Sequence, residues 1–245
     1  MYSEDVKAFM DKLRANAEAF FAQAGQKHIE VYRIEDFTPV EIPEDHHGDF
    51  YDGDSYVIVV KGQQAYDIHY WEGVDSTADE TGSAAALSTQ LSENLKMPSR
   101  HHLELMHEES DLFLSLWKNG IVYKKGGVDS GFKHVVPETV ETTLYQCKGR
   151  RYPRVFPVEL SGNSLSHNDT FVLDCNMNIY FWAGDNANEF EKVAALNFAI
   201  GIKNDARKGK AKLHYPRDMG GATEEDFWTA LGGKTDVKKG VADEE

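Results

Sequence analysis

Apolar residues recur every three or four positions over the first 25 residues. Val6, Phe9, Met10, Leu13, Ala17, Phe20, Phe21 and Ala24 fall on one face of a helix. Ser3 can cap that helix and Gly25 can end it. The period then shortens to two. Ile29 to Ile34 alternates apolar and polar residues, as a half-buried strand does. Ser55–Val60 and Tyr66–Trp71 are β-branched and aromatic, and Gly62-Gln63-Gln64 between them predicts a hairpin turn. A helix is predicted over Asp79 to Leu95, with Ala84, Leu87, Ser88, Leu91 and Leu95 along one side. His102 to Met106 reads as a further strand.

The pattern returns once. Gly53-Asp54 precedes the strand Ser55-Tyr56-Val57-Ile58, then Tyr70-Trp71-Glu72-Gly73 follows, then Glu80 opens a helix. Later, Asn168-Asp169 precedes Thr170-Phe171-Val172-Leu173, then Phe181-Trp182-Ala183-Gly184 follows, then Glu191 sits in a helix. The step from tryptophan to glutamate is nine positions in both copies. Three motifs in one order imply two copies of one β-rich unit with a crossing helix. The Glu/Thr/Val-rich stretch Pro137–Thr143 reads as the junction. A short helix is predicted over Glu224–Leu231, capped by Thr223 and ended by Gly232, and Lys234–Glu245 reads as a mobile tail. Five segments follow: an N-terminal helical extension over 1–27, a first domain over 28–136, a linker over 137–145, a second domain over 146–232 and a tail over 233–245.

Composition narrows the function classes. The chain is 41% hydrophobic and 27% charged, an ordinary globular balance. Its formal net charge of −15 argues against nucleic acid, where phosphate neutralisation dominates affinity. Acidity suits cation binding better, although on charge alone it reads first as simple solubility. Cys147 and Cys175 form no CxxC pair and are too few for a disulfide framework. No signal peptide and no apolar stretch of about 20 residues is read, so the expected compartment is the cytosol. A nucleophile elbow, a P-loop, zinc spacing and a dinucleotide loop are all missing. A hydrolytic centre on Asp54, His69 and Glu80 lacks a nucleophile, so no enzyme is expected. The pairs His46-His47 and His101-His102 read as surface histidines.

Longer runs resemble the gelsolin family. They are Asp49–Val57, Tyr66–Gly73, Asp79–Ala86 and Tyr123-Lys124-Lys125-Gly126-Gly127-Val128-Asp129-Ser130-Gly131-Phe132-Lys133-His134-Val135 in the first half. Cys147-Lys148-Gly149-Arg150-Arg151 and Gly209–Leu213 follow in the second. The resemblance covers about residues 28 to 215 and is to the family's first two segments; the N-terminal helix resembles the short members severin and fragmin. It implies an α+β fold of two gelsolin-like domains, each a mixed sheet of about five strands between a long and a short helix. It also implies a calcium-regulated protein that binds actin monomers and filaments, severs filaments and caps barbed ends in the cytoskeleton. The alternative is a monomer-binding module without efficient severing.

Site residues follow from the same resemblance. It implies one calcium on Gly53, Asp54, Glu80 and Val128, and a second on Asn168, Asp169 and Glu191, completed by Asp243 or Asp236. Hard oxygen ligands of this kind suit calcium. A calcium that the family shares with actin uses an aspartate at a position where this chain has Ser92. The outward face of the long helix, Ala85, Ala86, Thr89, Gln90 and Glu93, would enter an actin cleft, and Arg150, Arg151 and Lys192 would meet the filament side. Lys118, Lys124, Lys125, Lys148, Arg150 and Arg151 match phosphoinositide-binding stretches; Lys203, Arg207, Lys208, Lys210 and Lys212 form a further basic cluster.

Overall fold

The computed structural model describes residues 20–35, 37–95, 97–127, 141–216 and 221–239; the side chains of residues 78–80 and 222 fall outside that set. Two units divide the chain. The first runs to Leu116 and resumes at Lys124; the second takes Trp117–Tyr123 and the described residues from 141 onward. An uninterrupted first domain over 28–136 therefore differs from the observed division. Trp117–Tyr123 joins the second unit because it leads into the strand β7 (Ile121–Lys124), which pairs in parallel with Arg154 and Val155.

Unit 1 contains β1 (Ile29–Glu35), β2 (Thr38–Glu41), β3 (Asp49–Tyr51), β4 (Ser55–Lys61), β5 (Tyr66–Glu72), α1 (Ala78–Asn94), β6 (Ser99–Leu105) and α2 (Asp111–Leu114). Its sheet runs β2-β1-β4-β5-β6. Every pairing is antiparallel except β5 with β6, because the connection between them crosses over through α1. β4 is buried along nearly its whole length, as a central strand covered on both faces must be. On one face Tyr32, Ile34, Val57, Val59 and Ile68 pack against Ala84, Leu87 and Leu91 of α1, joined by Phe20 and Ala24. The other face is aromatic. Phe50 lies 4.9 Å from Trp71, 5.1 Å from Tyr56 and 5.5 Å from Phe113 of α2, between ring centroids.

The predicted N-terminal helix lies outside the described residues up to residue 19. Its end is fastened by Glu30, a buried carboxylate that accepts hydrogen bonds from the Gly25, Gln26 and Lys27 amides at 2.7, 2.8 and 2.6 Å.

Unit 2 holds most of β7 with β8 (Thr143–Lys148), β9 (Arg154–Val158), β10 (Thr170–Cys175), β11 (Asn178–Ala183), α3 (Glu189–Gly201), β12 (Lys212–His214) and α4 (Gly221–Ala230). Within the unit the strands run β12-β11-β10-β8-β9-β7. The hairpin β10–β11, the helix α3 and the parallel strand β12 repeat the order β4–β5, α1, β6. Cys147, Val155, Val172 and Ile179 pack under Ala194, Ala195 and Ala199 of α3. Leu144, Phe171, Leu173 and Trp182 pack under Phe227, Trp228 and Leu231 of α4 and its end. The predicted mobile tail is corrected in part: Lys238 bridges Ser166, its carbonyl accepts from the His167 amide at 2.9 Å, and Val237 packs on the core.

Candidate cation sites and docking surfaces

The repeated sequence motifs meet through one backbone lock. In unit 1 the Gly73 amide donates to the Asp54 carbonyl at 3.0 Å, and the Asp75 amide to the Asp52 carbonyl at 2.8 Å. In unit 2 the Gly184 amide donates to the Asp169 carbonyl at 3.0 Å, and the Asn186 amide to the His167 carbonyl at 2.7 Å. A Cβ on Gly73 would lie 2.3 Å from the Asp52 oxygen, and one on Gly184 would lie 2.3 Å from the His167 oxygen. Only glycine permits that approach. The lock holds each aspartate-bearing turn beside the strand end that leads into α1 or α3, where Glu80 and Glu191 stand.

In unit 1 the buried Asp54 carboxylate has Oδ2 3.5 Å from Arg33 Nη1 and accepts from the Tyr56 hydroxyl at 3.4 Å. Burial and then the Asp54 charge push the Tyr56 phenol up. A Cβ on Gly127 would lie 2.6 Å from Asp54 Oδ1 and 3.1 Å from the Gly53 carbonyl oxygen. Two oxygens of the expected ligand set thus converge beside Gly127, and a hard cation takes such oxygens. The neighbouring chain is stitched in place, since Gly53 donates to the Gly126 carbonyl and the Gly126 amide to Asp52 Oδ1, both at 2.8 Å. The Glu80 side chain and Val128 lie outside the described residues.

In unit 2 Asp169 Oδ2 accepts from Gln146 Nε2 at 2.9 Å and from the Ser166 hydroxyl. Glu191 is fully buried and closes a capping box: Oε2 accepts from the Asn188 amide at 3.1 Å while the Glu191 amide donates to Asn188 Oδ1 at 3.0 Å. Its Oε1 accepts from the Gly149 amide at 2.9 Å, and Asn188 Nδ2 donates to the Gly149 carbonyl at 3.0 Å. Both carboxylates act on one group. Burial pushes the Cys147 thiol up, and the charges of Glu191 and Asp169 push it further. Beside Asn168, His167 lies 6.2 Å from the Trp182 ring and pairs with Asp185 at 2.8 Å when protonated. Asp236 is exposed, and Asp243 lies outside the described residues. Among the described residues no three His, Cys, Asp or Glu side chains gather to hold a metal. The expected ligand sets differ in carboxylate number: Asp54 and Glu80 in the first, and Asp169 and Glu191 with Asp243 or Asp236 in the second, each with main-chain oxygens.

His69 is fully buried, and its Nδ1 lies 2.8 Å from Glu104 Oε1. Glu104 also accepts from the Ser110 amide at 2.7 Å and its hydroxyl at 2.9 Å. Burial alone would raise the Glu104 carboxyl; the His69 and Ser110 hydrogen bonds overcome it and hold the group below its usual range. The expected surface role of His102 is corrected. Its ring stacks 4.6 Å from that of His69, and its Nε2 lies 2.9 Å from Asp67, which also takes two 2.8 Å bonds from Arg100.

The docking residues are placed as follows. On α1, Ala85, Ala86 and Gln90 are half-buried and Thr89 and Glu93 exposed, opposite the core residues Leu87 and Leu91. Lys118, Lys125, Arg150 and Arg151 are exposed, and Lys148 is half-buried. Lys124 pairs with Asp49 at 2.5 Å and Lys192 with Glu189 at 2.8 Å. Of the residues around these sites, Arg33 and Gln146 carry no signal in the sequence, since each acts through a contact distant along the chain; Ser166 reaches Asp169 from three positions before it.

The family model of the gelsolin repeat matches residues 36–114 and 152–217. Gelsolin of Gallus gallus is 39% identical over 233 residues, covering 92% of this chain and 30% of that protein. The actin depolymerising venom protein gelsolin 1 of Platymeris rhadamanthus is 39% identical, with coverages of 85% and 58%. Villin-5 of Arabidopsis thaliana is 37% identical, with coverages of 88% and 23%. The chain thus spans less than two thirds of each relative. Among solved structures, a chain of the Thorarchaeota 2DGel3/rabbit actin complex is 24% identical, covers 77% of this chain and 92% of that chain, and has a TM-score of 0.36.

Proposed function

This chain belongs to the gelsolin repeat family, and from that premise we propose that it binds actin under calcium control, severing filaments and capping their barbed ends. One observation carries the reading. α1 turns Ala85, Ala86, Thr89 and Gln90 outward while Ala84, Leu87 and Leu91 anchor it rigidly to the sheet. Small side chains on a rigid helix suit insertion into a groove of a partner. The relative named for actin depolymerisation supports the same partner.

Calcium control rests on the convergence of Asp54 Oδ1 and the Gly53 carbonyl beside Gly127, and on Asp169 and Glu191 in the corresponding places of unit 2. Glu80, Val128, Asn168 and Asp243 would complete the two sets. Bound calcium would supply fixed positive charge that orders the turns carrying these oxygens. The exposed Lys125, Arg150 and Arg151, with Lys118, Lys124 and Lys148, suit phosphoinositide surfaces, at roughly 1 kcal/mol per basic residue near an anionic membrane.

The test is direct imaging of labelled actin filaments with this chain, in calcium and in chelator. Breakage and blocked barbed-end growth in calcium, absent in chelator, support the reading. Monomer binding without breakage would favour a sequestering module, and no effect on monomers or filaments would overturn the actin reading itself.

A further inference from the structure

One asparagine of the chain is followed by glycine, in the pair Asn119-Gly120. The pair closes the turn that leads from Trp117 into β7, and the Gly120 amide donates to the Trp117 carbonyl at 3.0 Å. Gly120 cannot be exchanged there. Its φ is +78, and a Cβ would lie 2.2 Å from the Pro153 carbonyl oxygen. The same missing Cβ leaves the Gly120 nitrogen unshielded from the side chain before it. That side chain is exposed yet held, because Asn197 Nδ2 of α3 donates to Asn119 Oδ1 at 3.1 Å. The bond draws electrons from the Asn119 carboxamide and stands where negative charge would gather if its carbon were attacked.

We propose that Asn119 is a self-modification site, converted without an enzyme to aspartate and isoaspartate, with Asn197 promoting the step. The reaction takes only hydroxide and water. When the turn bond opens, hydroxide removes the Gly120 amide proton. The nitrogen attacks Asn119 Cγ, and the charge collects on Oδ1, where Asn197 donates. The Cγ–Nδ2 bond then breaks, and the departing nitrogen takes a proton from water and leaves as ammonia, which restores the hydroxide. Water next opens the cyclic imide at either carbonyl. Opening at Cγ gives aspartate. Opening at the main-chain carbonyl gives isoaspartate, whose main chain runs through the side chain and is one carbon longer. The extra carbon enters directly before Ile121, whose buried side chain and 3.1 Å amide bond to the Pro153 carbonyl begin the pairing of β7 with β9. Ageing at Asn119 therefore loosens the strand that unit 2 takes from the first half of the chain. The chemistry depends on neither actin nor calcium.

The experiment ages the full chain for weeks at mildly alkaline pH and follows it by intact mass, peptide mapping and enzymatic methylation of isoaspartate. The parent should gain the mass of amide-to-acid conversion in the peptide holding Asn119, with isoaspartate among the products. Isomerisation at Asp52-Gly53 leaves the mass unchanged, so the two are told apart. Asn119→Gln should gain no mass in that peptide, because its longer side chain closes the ring far more slowly. Asn197→Ala, with a fresh denaturant midpoint equal to the parent's, should convert about two- to tenfold more slowly. An equal or faster rate would overturn the promoting role of Asn197. If the parent's Asn119 peptide keeps its mass, the proposal is overturned, and conversion there in the same chain aged in denaturant would show the folded turn to be the block. Isoaspartate that leaves the denaturant midpoint of the aged parent unchanged would overturn the loosening of β7.

Discussion

The Gly149 amide donates a 2.9 Å hydrogen bond to the buried carboxylate of Glu191. With the bond from the Asn188 amide to Oε2, both oxygens of Glu191 have protein donors. A cation recruiting this carboxylate would share it with the bond that fixes the turn carrying Arg150 and Arg151, so under the calcium reading the second site and that turn are coupled.

Glu191→Gln keeps an oxygen for one of these donors but removes the charge. Calorimetry should show the loss of one calcium and retention of the other, and the stability cost should be about 1 kcal/mol. Unchanged calcium stoichiometry would remove Glu191 from the ligand set.

Gly127→Ala tests the first site without deleting a ligand. The new Cβ would lie 2.6 Å from Asp54 Oδ1, in the space where the two oxygens converge. Calcium affinity there should fall at least as far as in Asp54→Asn. If calorimetry finds the parent affinity in Gly127→Ala, the oxygens converge for a structural reason only.

Gly73→Ala and Gly184→Ala should each destabilise their own unit by roughly 1–3 kcal/mol, because a Cβ would sit 2.3 Å from a carbonyl oxygen and force the backbone lock apart. Denaturant midpoints check this, and a shift within error at both positions would mean that the turns relax freely.

Ala86→Asp places a carboxylate on the outward face of α1. Monomeric actin affinity should fall by about 1–3 kcal/mol if that face enters an apolar cleft. Fluorescence titration gives the answer, and parental affinity would sink the helix-in-groove model.

Acid should weaken unit 1 through Glu104. Its carboxyl is held below the ordinary 4.5, so its stabilising contribution is complete above that pH and is lost as the pH falls through the lower folded value. Urea midpoints at pH 6 and pH 3 should therefore drop more for the parent than for Glu104→Gln. Equal drops would assign the acid sensitivity to other groups, Asp67 among them.

What the chain discloses in advance is what its period and spacing encode. β1, β4, β5 and α1 carry uninterrupted apolar periods, and the structure has them within a residue or two of the expected ends. Phe20 and Ala24 are buried, as the first helical stripe expects. β3, β7 and β12 are three or four residues long, too short to carry a period, and form because partners elsewhere in the chain accept their hydrogen bonds. The passage of Trp117–Tyr123 into unit 2 depends on Arg154 and Val155 and leaves no local trace. Asp54, Asp169 and Glu191 stand out because their motifs repeat, whereas Gln146 and Gly149 reach those carboxylates from distant strands and turns. His102 reads as a surface residue because it is one of an adjacent histidine pair whose side chains do not converge, and only the parallel register of β6 on β5 sets it against His69.

The contact between His167 and Trp182, 6.2 Å between ring centres, gives unit 2 an optical reporter. A protonated imidazole quenches indole emission, and Trp182 itself is buried and held by the packing of the sheet. His167 instead rides on the turn that continues into Asn168 and Asp169, so a displacement of that turn changes the distance between quencher and fluorophore. Measured against the emission of Trp71, Trp117 and Trp228, the Trp182 signal can thus follow the second candidate site without a dye and without a label on the partner.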